Sequence, residues 1–380
     1  MINESSAQSS VSAGSRGWSV TVSSDFTYEV GSADGDVRCT VTTDLTIDAG
    51  HDGKRFQMSS FRAVGVRENV SSQVHFRDQD GSYRRIGWLI PAVALASREH
   101  DKSENEHFLK YAHQVVRWFL ANLTIDAIEK AQEETGFGTP IPLSRLLPDD
   151  VAFLALSEET YAEILDFDPD RNLLALTARG LIREDFANQL GPLVRPADVD
   201  GETIRIQAVS ADIDNNELLI RLLATASSVS ADPIVRFFYA YQLIEFLLED
   251  VLVNQLSHVK SQLISALQDA NASPSDIREA NQAVQEELSE KKRLDLLVGS
   301  YVGGAGLPSG GRVYTACESL LVALGKPPKK GIQSAYAVRN LVFHSARSLD
   351  VGEIPLLEAV ADAFVTFLPE LLSAYKRPTN

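Results

Sequence analysis

The spacing of apolar residues changes period once along this chain, and no other feature constrains its fold as strongly. From Gly17 to about Pro91, Val, Thr, Phe and Tyr alternate with polar residues, as in Trp18-Ser-Val-Thr-Val-Ser and Val37-Arg-Cys-Thr-Val-Thr-Thr-Asp-Leu-Thr-Ile. A period of two lays one face of a strand on a core and the other in water, so this stretch reads as antiparallel strands. Gly31–Gly35, Ala49–Gly53 and Asp78–Gly81 supply the residues that hairpin turns need. From about Asp212 onward the apolar residues recur with the period of a helix almost without interruption.

Between these regimes the signals are mixed. Phe108, Tyr111, Ala112, Val115, Phe119 and Leu123 place one long helix over Ser103 to Glu134. A helix capped by Ser157, another near Leu173 to Leu190, and a short strand Thr203-Ile-Arg-Ile-Gln follow. Pro233 suits the first turn of a strong helix through Phe237, Tyr241, Ile244, Leu248 and Leu252. Ser273 and Asp276 form a capping box for the next, which reaches about Leu297. After the Gly-rich break Gly299 to Gly311, helices are expected at about Arg312–Leu324, Gly331–Ser348 and Ile354–Tyr375.

The fold class expected is α+β: a β-rich part with a long helix, then an all-α up-and-down bundle. Residues 1–16 read as a flexible Ser-rich tail with no apolar signal region, 17–210 as the β-rich domain, 211–231 as a boundary helix or linker, and 232–380 as the bundle. The β-rich domain carries no catalytic signature and suits a sensing, regulatory or structural role.

Charge divides along the same line. The chain carries 35 Lys+Arg against 52 Asp+Glu, a net of -17. From Asp232 to the end there are 14 Lys+Arg and 17 Asp+Glu, leaving 21 against 35 before it. Bulk charge therefore excludes extensive coating of nucleic acid, while a compact anion site in the near-neutral bundle stays open. The two cysteines, Cys39 and Cys317, form no CxxC or Cys/His cluster, which speaks against a disulfide framework or a structural zinc and fits a reducing cytoplasm. The strongly apolar run Ile86 to Ser97 is 12 residues long and contains Pro91. A bilayer needs roughly 20, so no membrane span is expected.

One segment carries chemistry. In the penultimate helix stands Val338-Arg339-Asn340-Leu341-Val342-Phe343-His344-Ser345. Asn340 and His344 lie one turn apart and share a face with Tyr336 and Arg347, while Ala335, Val338 and Val342 point toward a core. Arginine can hold a phosphate through two hydrogen bonds, and histidine exchanges protons near neutral pH. Together they suit phosphodiester chemistry without a metal or other cofactor, with His344 handling a proton and Arg339 stabilising charge on the phosphoryl oxygens.

Arg339-Asn340-x-x-x-His344 resembles the R-polar-x-x-x-H signature of HEPN domains, helical bundles of many prokaryotic toxin and defence ribonucleases. The resemblance covers roughly residues 232–375. Arg236-Phe-Phe-Tyr-Ala-Tyr-Gln-Leu-Ile-Glu245 is similar to the earlier helix of that family, which often turns an aromatic residue and a glutamate toward the motif helix. The resemblance implies a metal-independent endoribonuclease in a defence or toxin setting, with Arg339 and His344 catalytic, Asn340 orienting them and Glu245 in support. It also implies an RNA substrate, a homodimer that joins two copies of the motif, and a regulatory protein partner. A non-catalytic bundle for dimerisation or ligand binding is the alternative, and the same Arg339 and His344 also suit bridging between helices.

Arg312 and the group Lys326, Lys329 and Lys330 are candidates to collect phosphates, or a solvated turn. Gly303-Gly-Ala-Gly-Leu-Pro-Ser-Gly-Gly311 lacks the Gly-Lys-Ser/Thr ending of a phosphate loop. Asp166-Phe-Asp-Pro-Asp170 opens like a calcium loop but has Arg171 at its sixth position and Thr177 at its twelfth.

Overall fold

In a computed structural model of the chain, the residues described are 18–24, 26–32, 38–46, 55–63, 70–77, 82–148, 151–161, 172–183, 203–210, 213, 216–227, 232–268, 273–287, 289–303, 307, 310–345 and 352–378. The strands are β1 (Trp18–Ser24), β2 (Thr27–Ser32), β3 (Arg38–Thr42), β4 (Phe56–Ala63), β5 (Ser72–Arg77), β6 (Tyr83–Pro91), β7 (Ile141–Pro142), β8 (Val151–Ser157), β9 (Leu181–Arg183) and β10 (Thr203–Ile206). The early helices are α1 (Ala92–Ala96), α2 (Glu106–Ala121), α3 (Ile125–Thr135), α4 (Glu158–Tyr161), α5 (Leu173–Thr177) and α6 (Glu217–Ala226). The later ones are α7 (Pro233–Gln268), α8 (Pro274–Glu287), α9 (Glu290–Leu296), α10 (Gly310–Ala323), α11 (Ile332–Ser345) and α12 (Ile354–Ala374). The class is α+β, strand-rich first and helical after.

Two compact units emerge, one of Met1–Ser59, Arg67–Ser72 and Gly87–Glu159, the other of Ser60–Val66, Gln73–Ile86 and Thr160–Asn380. The division runs through β4 and β6.

In the first unit, β1, β2 and β3 form an antiparallel meander, with a register shift between Val22 and Ser24, and β7 adds to β3 in parallel. Trp18 and Tyr28 plug this sheet onto α2. The Trp18 indole donates to the Leu123 carbonyl at 2.7 Å, and the Tyr28 hydroxyl meets His113 Nδ1 at 3.0 Å. β6 pairs antiparallel with β8 from Gly87 to Pro91. Gly87 has to be glycine here, since a Cβ would stand 2.0 Å from the Ala155 carbonyl oxygen.

The single helix expected over Ser103 to Glu134 is two. α2 stops at Asn122, and Thr124 starts α3 by accepting a hydrogen bond from the Ala127 amide at 3.3 Å. The apolar period runs across this break because both helices pack on the same core, and a Thr cap three residues before a free amide ends the continuity locally. The helix expected near Leu173 to Leu190 is likewise short. α5 closes at Thr177, Gly180 takes a positive φ of 81°, and Leu181–Arg183 enters β9. Residues 184–190, and those of the calcium-like segment Asp166–Asp170, lie outside the described ones, as do most of the three expected hairpin turns.

In the second unit, β10 runs parallel to β5, with Arg205 beside His75, and β9 pairs antiparallel with Phe61–Ala63 of β4. The helices surround α7, whose Phe237, Tyr241, Ile244, Leu248 and Val251 are buried at the helical spacing read in the sequence. Each such side chain contributes roughly 1.5–3 kcal/mol on leaving water. α6, α11 and α12 pack on α7, and α10 packs on both α11 and α12. Arg236 is 3% exposed and is held by Asp362 of α12 at 2.6 Å. The capping box at Ser273 is formed in both directions, with Asp276 N to Ser273 Oγ at 3.3 Å and Ser273 N to Asp276 Oδ2 at 2.8 Å. The helix it opens ends at Glu287, short of Leu297, because Ser289 caps a new helix through the Lys292 amide. A five-residue π-helix, Leu297–Tyr301, then completes that segment. Among the described residues, no helix is long and apolar enough to cross a membrane.

Candidate functional site

α11 follows a turn that Gly331 makes with a φ of 55°. Ile332, Ala335, Val338 and Val342 are buried along one side, Asn340 and His344 lie on the opposite side, and Arg339 stands at the edge of the buried stripe. Burial of the first set fixes the rotation of the helix and so aims the others.

Arg339 points at α7. Its Nη2 and Nε donate to Glu245 Oε1 at 2.8 and 3.2 Å, and its Nη1 donates to Asn340 Oδ1 at 3.0 Å. Glu245 is steadied in turn by Gln242, whose amide donates to Oε2 at 2.6 Å. The guanidinium lies 4.9 Å from the Phe343 ring centre and 5.8 Å from that of Tyr241, and cations over aromatic faces are favoured electrostatically. Five N–H bonds radiate from a guanidinium and three are used, so two have no partner among the described residues.

A second carboxylate stands close. Glu290, the first residue of α9, accepts a hydrogen bond from the Tyr241 hydroxyl at 3.3 Å. Burial weakens the charge on Arg339, but the Glu245 hydrogen bond, followed by the field of Glu290, outweighs that and moves its pKa upward. Burial, then Glu290, drives the Tyr241 phenol upward too, so it stays protonated and donates. Glu290 reads in the sequence only as part of an acidic helix surface. Forty-five residues and the whole of α8 separate it from Glu245, and no local spacing announces their meeting.

His344 is exposed, and its imidazole has no partner among the described residues. An α-helix puts it about 7.5 Å along the axis from Arg339 and about 140° around it. Asn340 lies only about 40° from His344 and thus borders both, and Tyr336 is half-buried one turn earlier. A single chain therefore carries an arginine aimed at its own bundle and a histidine aimed at solvent.

The chain matches no protein-family model, no curated protein and no solved structure. The likeness to HEPN domains rests on the residues just described.

The remaining candidates are spread out. Lys326, Lys329 and Lys330 are exposed in the turn between α10 and α11, and Lys330 precedes Arg339 by nine residues. Arg312 is exposed at the start of α10, which packs on α11. Arg347 lies outside the described residues. Among those described, no three His, Cys, Asp or Glu side chains converge as metal ligands would.

Proposed function

We propose that the helical part is a HEPN-type endoribonuclease working without a metal ion. The observation that carries this reading is the setting of Arg339: Glu245 and Asn340 hold its guanidinium in one orientation and leave two N–H groups without a partner among the described residues. A guanidinium fixed in advance stabilises developing phosphoryl charge with little reorganisation. In the reaction the RNA 2'-oxygen bonds to the adjacent phosphorus, the bond from phosphorus to the 5'-oxygen breaks, and a 2',3'-cyclic phosphate results. His344 takes the 2'-hydroxyl proton or gives one to the leaving oxygen.

Because Arg339 and His344 diverge around α11, a homodimer is the arrangement in which the histidine of one protomer serves the phosphate held by the other. A defence or toxin setting, a regulatory protein partner and a cytoplasmic site of action belong to the same reading, the last supported by two cysteines that are free thiols. The test is cleavage of total RNA by folded Arg339→Ala and His344→Ala proteins in the presence of EDTA. Loss of cleavage in both, with cyclic phosphate ends in the parent reaction, is expected. Cleavage that survives either substitution overturns the assignment.

One observation favours a second reading. Arg339 already joins α11 to α7 through Glu245, the bond of a purely structural bridge. A non-catalytic module would keep its RNA-independent properties in His344→Ala while losing stability in Arg339→Ala.

A further inference from the structure

β5, β6 and β10 place basic and planar side chains on one face of the second unit. Along β5, Val74 and Phe76 are buried, which turns Gln73, His75 and Arg77 to the opposite face. The parallel register sets Arg205 beside His75 and Thr203 beside Gln73, while Ile204 and Ile206 go inward. Three contacts confirm that these groups share a surface. Arg77 Nη1 donates to Gln207 Oε1 at 3.1 Å, His75 Nε2 meets Gln73 Oε1 at 3.2 Å, and the Arg205 guanidinium lies over the Tyr83 ring, 5.6 Å from its centre. Arg85 belongs to the group as well: burial first, then the charges of Arg85 and Arg205, lower the pKa of His75.

Arg77, Tyr83, Arg85 and Arg205 are all exposed, and the described residues of these strand segments hold no carboxylate, while Asp78 and Asp80 follow Arg77 in the sequence outside the described residues. In a chain of net charge -17, three arginines and a histidine on one sheet face form a local exception. The face also has what a purely ionic patch lacks. Tyr83 and Arg205 present flat groups on which bases stack, and Gln73 and Thr203 provide donors and acceptors for base edges.

We propose that the β5–β6–β10 face is a binding platform for single-stranded RNA, with Tyr83 and Arg205 stacking a base and Arg77 and Arg85 holding phosphates. The choice of RNA rests on the ribonuclease reading above. The platform shares no residue with the Arg339 site, and its role is to hold the strand, not to cut it.

The experiment uses the full chain and a fluorescein-labelled 2'-O-methyl oligouridylate, which lacks the attacking hydroxyl, with binding followed by anisotropy across a salt series. Tyr83→Ala should weaken binding about tenfold, the loss typical of one stacked base. Tyr83→Phe, which keeps the ring, should bind as the parent does. Arg77→Ala and Arg85→Ala should each reduce the slope of log K against log salt by about 0.7, and Arg205→Ala should weaken binding about as much as Tyr83→Ala. Unchanged affinity in Tyr83→Ala, Arg77→Ala and Arg205→Ala overturns the platform, and so does binding of polyglutamate but not of the RNA. Cleavage that depends on Arg339 and His344 while these three variants bind normally sinks the platform alone. Binding that depends on them in a protein that never cleaves RNA upholds the platform and sinks the ribonuclease.

Discussion

The guanidinium of Arg339 donates twice to one oxygen of Glu245, from Nη2 at 2.8 Å and from Nε at 3.2 Å. Both side chains are less than a third exposed. The pair is thus shielded enough to matter for stability and open enough to be reached by a ligand. Glu245→Ala is expected to cost about 1–2 kcal/mol, since it strips a half-buried cation of its charged acceptor. Glu245→Gln keeps an acceptor oxygen and should cost less. Urea denaturation at neutral pH checks both, and equal losses would refute the account.

Arg339→Lys separates charge from geometry. Lysine can still pair with Glu245 but cannot also orient two further N–H groups toward a phosphate. RNA cleavage should fall about 100-fold while the melting temperature stays within a few degrees of the parent. Full activity in this variant would show that a positive charge alone suffices.

Asp250 predicts a pH dependence. It accepts hydrogen bonds from the Tyr375 hydroxyl, from Arg377 Nε at 2.9 Å and Nη2, and from Asn254 at 3.2 Å. Burial alone would raise its pKa, but these donors outweigh it and the net direction is downward. A carboxyl whose folded pKa lies below its unfolded value of about 3.9 stabilises the fold fully above that value. The contribution disappears as pH falls through the folded pKa. Parent and Asp250→Asn should therefore differ by about 1–2 kcal/mol near neutrality and converge below about pH 4. A gap that widens in acid would reverse the sign and refute it.

Burial pushes the Cys317 thiol up to about 12, and Cys39 also moves upward for the same reason. Thiolate is the reactive form, so neither should react with a disulfide reagent at pH about 8 until the chain unfolds. Two thiols titrated in denaturant and none in buffer is the expected count.

Gly87→Ala forces a methyl group against the Ala155 carbonyl within a paired strand. Backbone cannot retreat as a flexible side chain can, so a loss at the upper end of about 1–3 kcal/mol or beyond is expected. A soluble variant with parental stability would exclude the close approach.

The sequence made part of this legible. Apolar spacing set Asn340 and His344 on one face of a helix, because burial of Val338 and Val342 leaves little rotational choice, whereas Glu245 was marked only by the resemblance to HEPN domains. Helix ends were harder to read. Thr124 and Ser289 interrupt continuous apolar patterns through single hydrogen bonds, and a cap is worth only about 1 kcal/mol against a signal summed over many residues. Two groupings were out of reach. Glu290 meets Tyr241, and Arg205 meets Tyr83, only through tertiary and parallel strand pairing across long sequence separations. Alternation states which face a residue takes but not which strand lies beside it.

α7 carries Arg236, Tyr241, Glu245 and Asp250 on one unbroken helix of 36 residues, and each is bonded to a different element. Sliding an apolar helix by one residue turns it about 100° and can leave greasy contacts nearly as good as before. Here such a slip breaks four polar attachments together. These side chains therefore act as a combination lock on helix register, selecting one alignment of the bundle that its leucines and phenylalanines alone would leave degenerate.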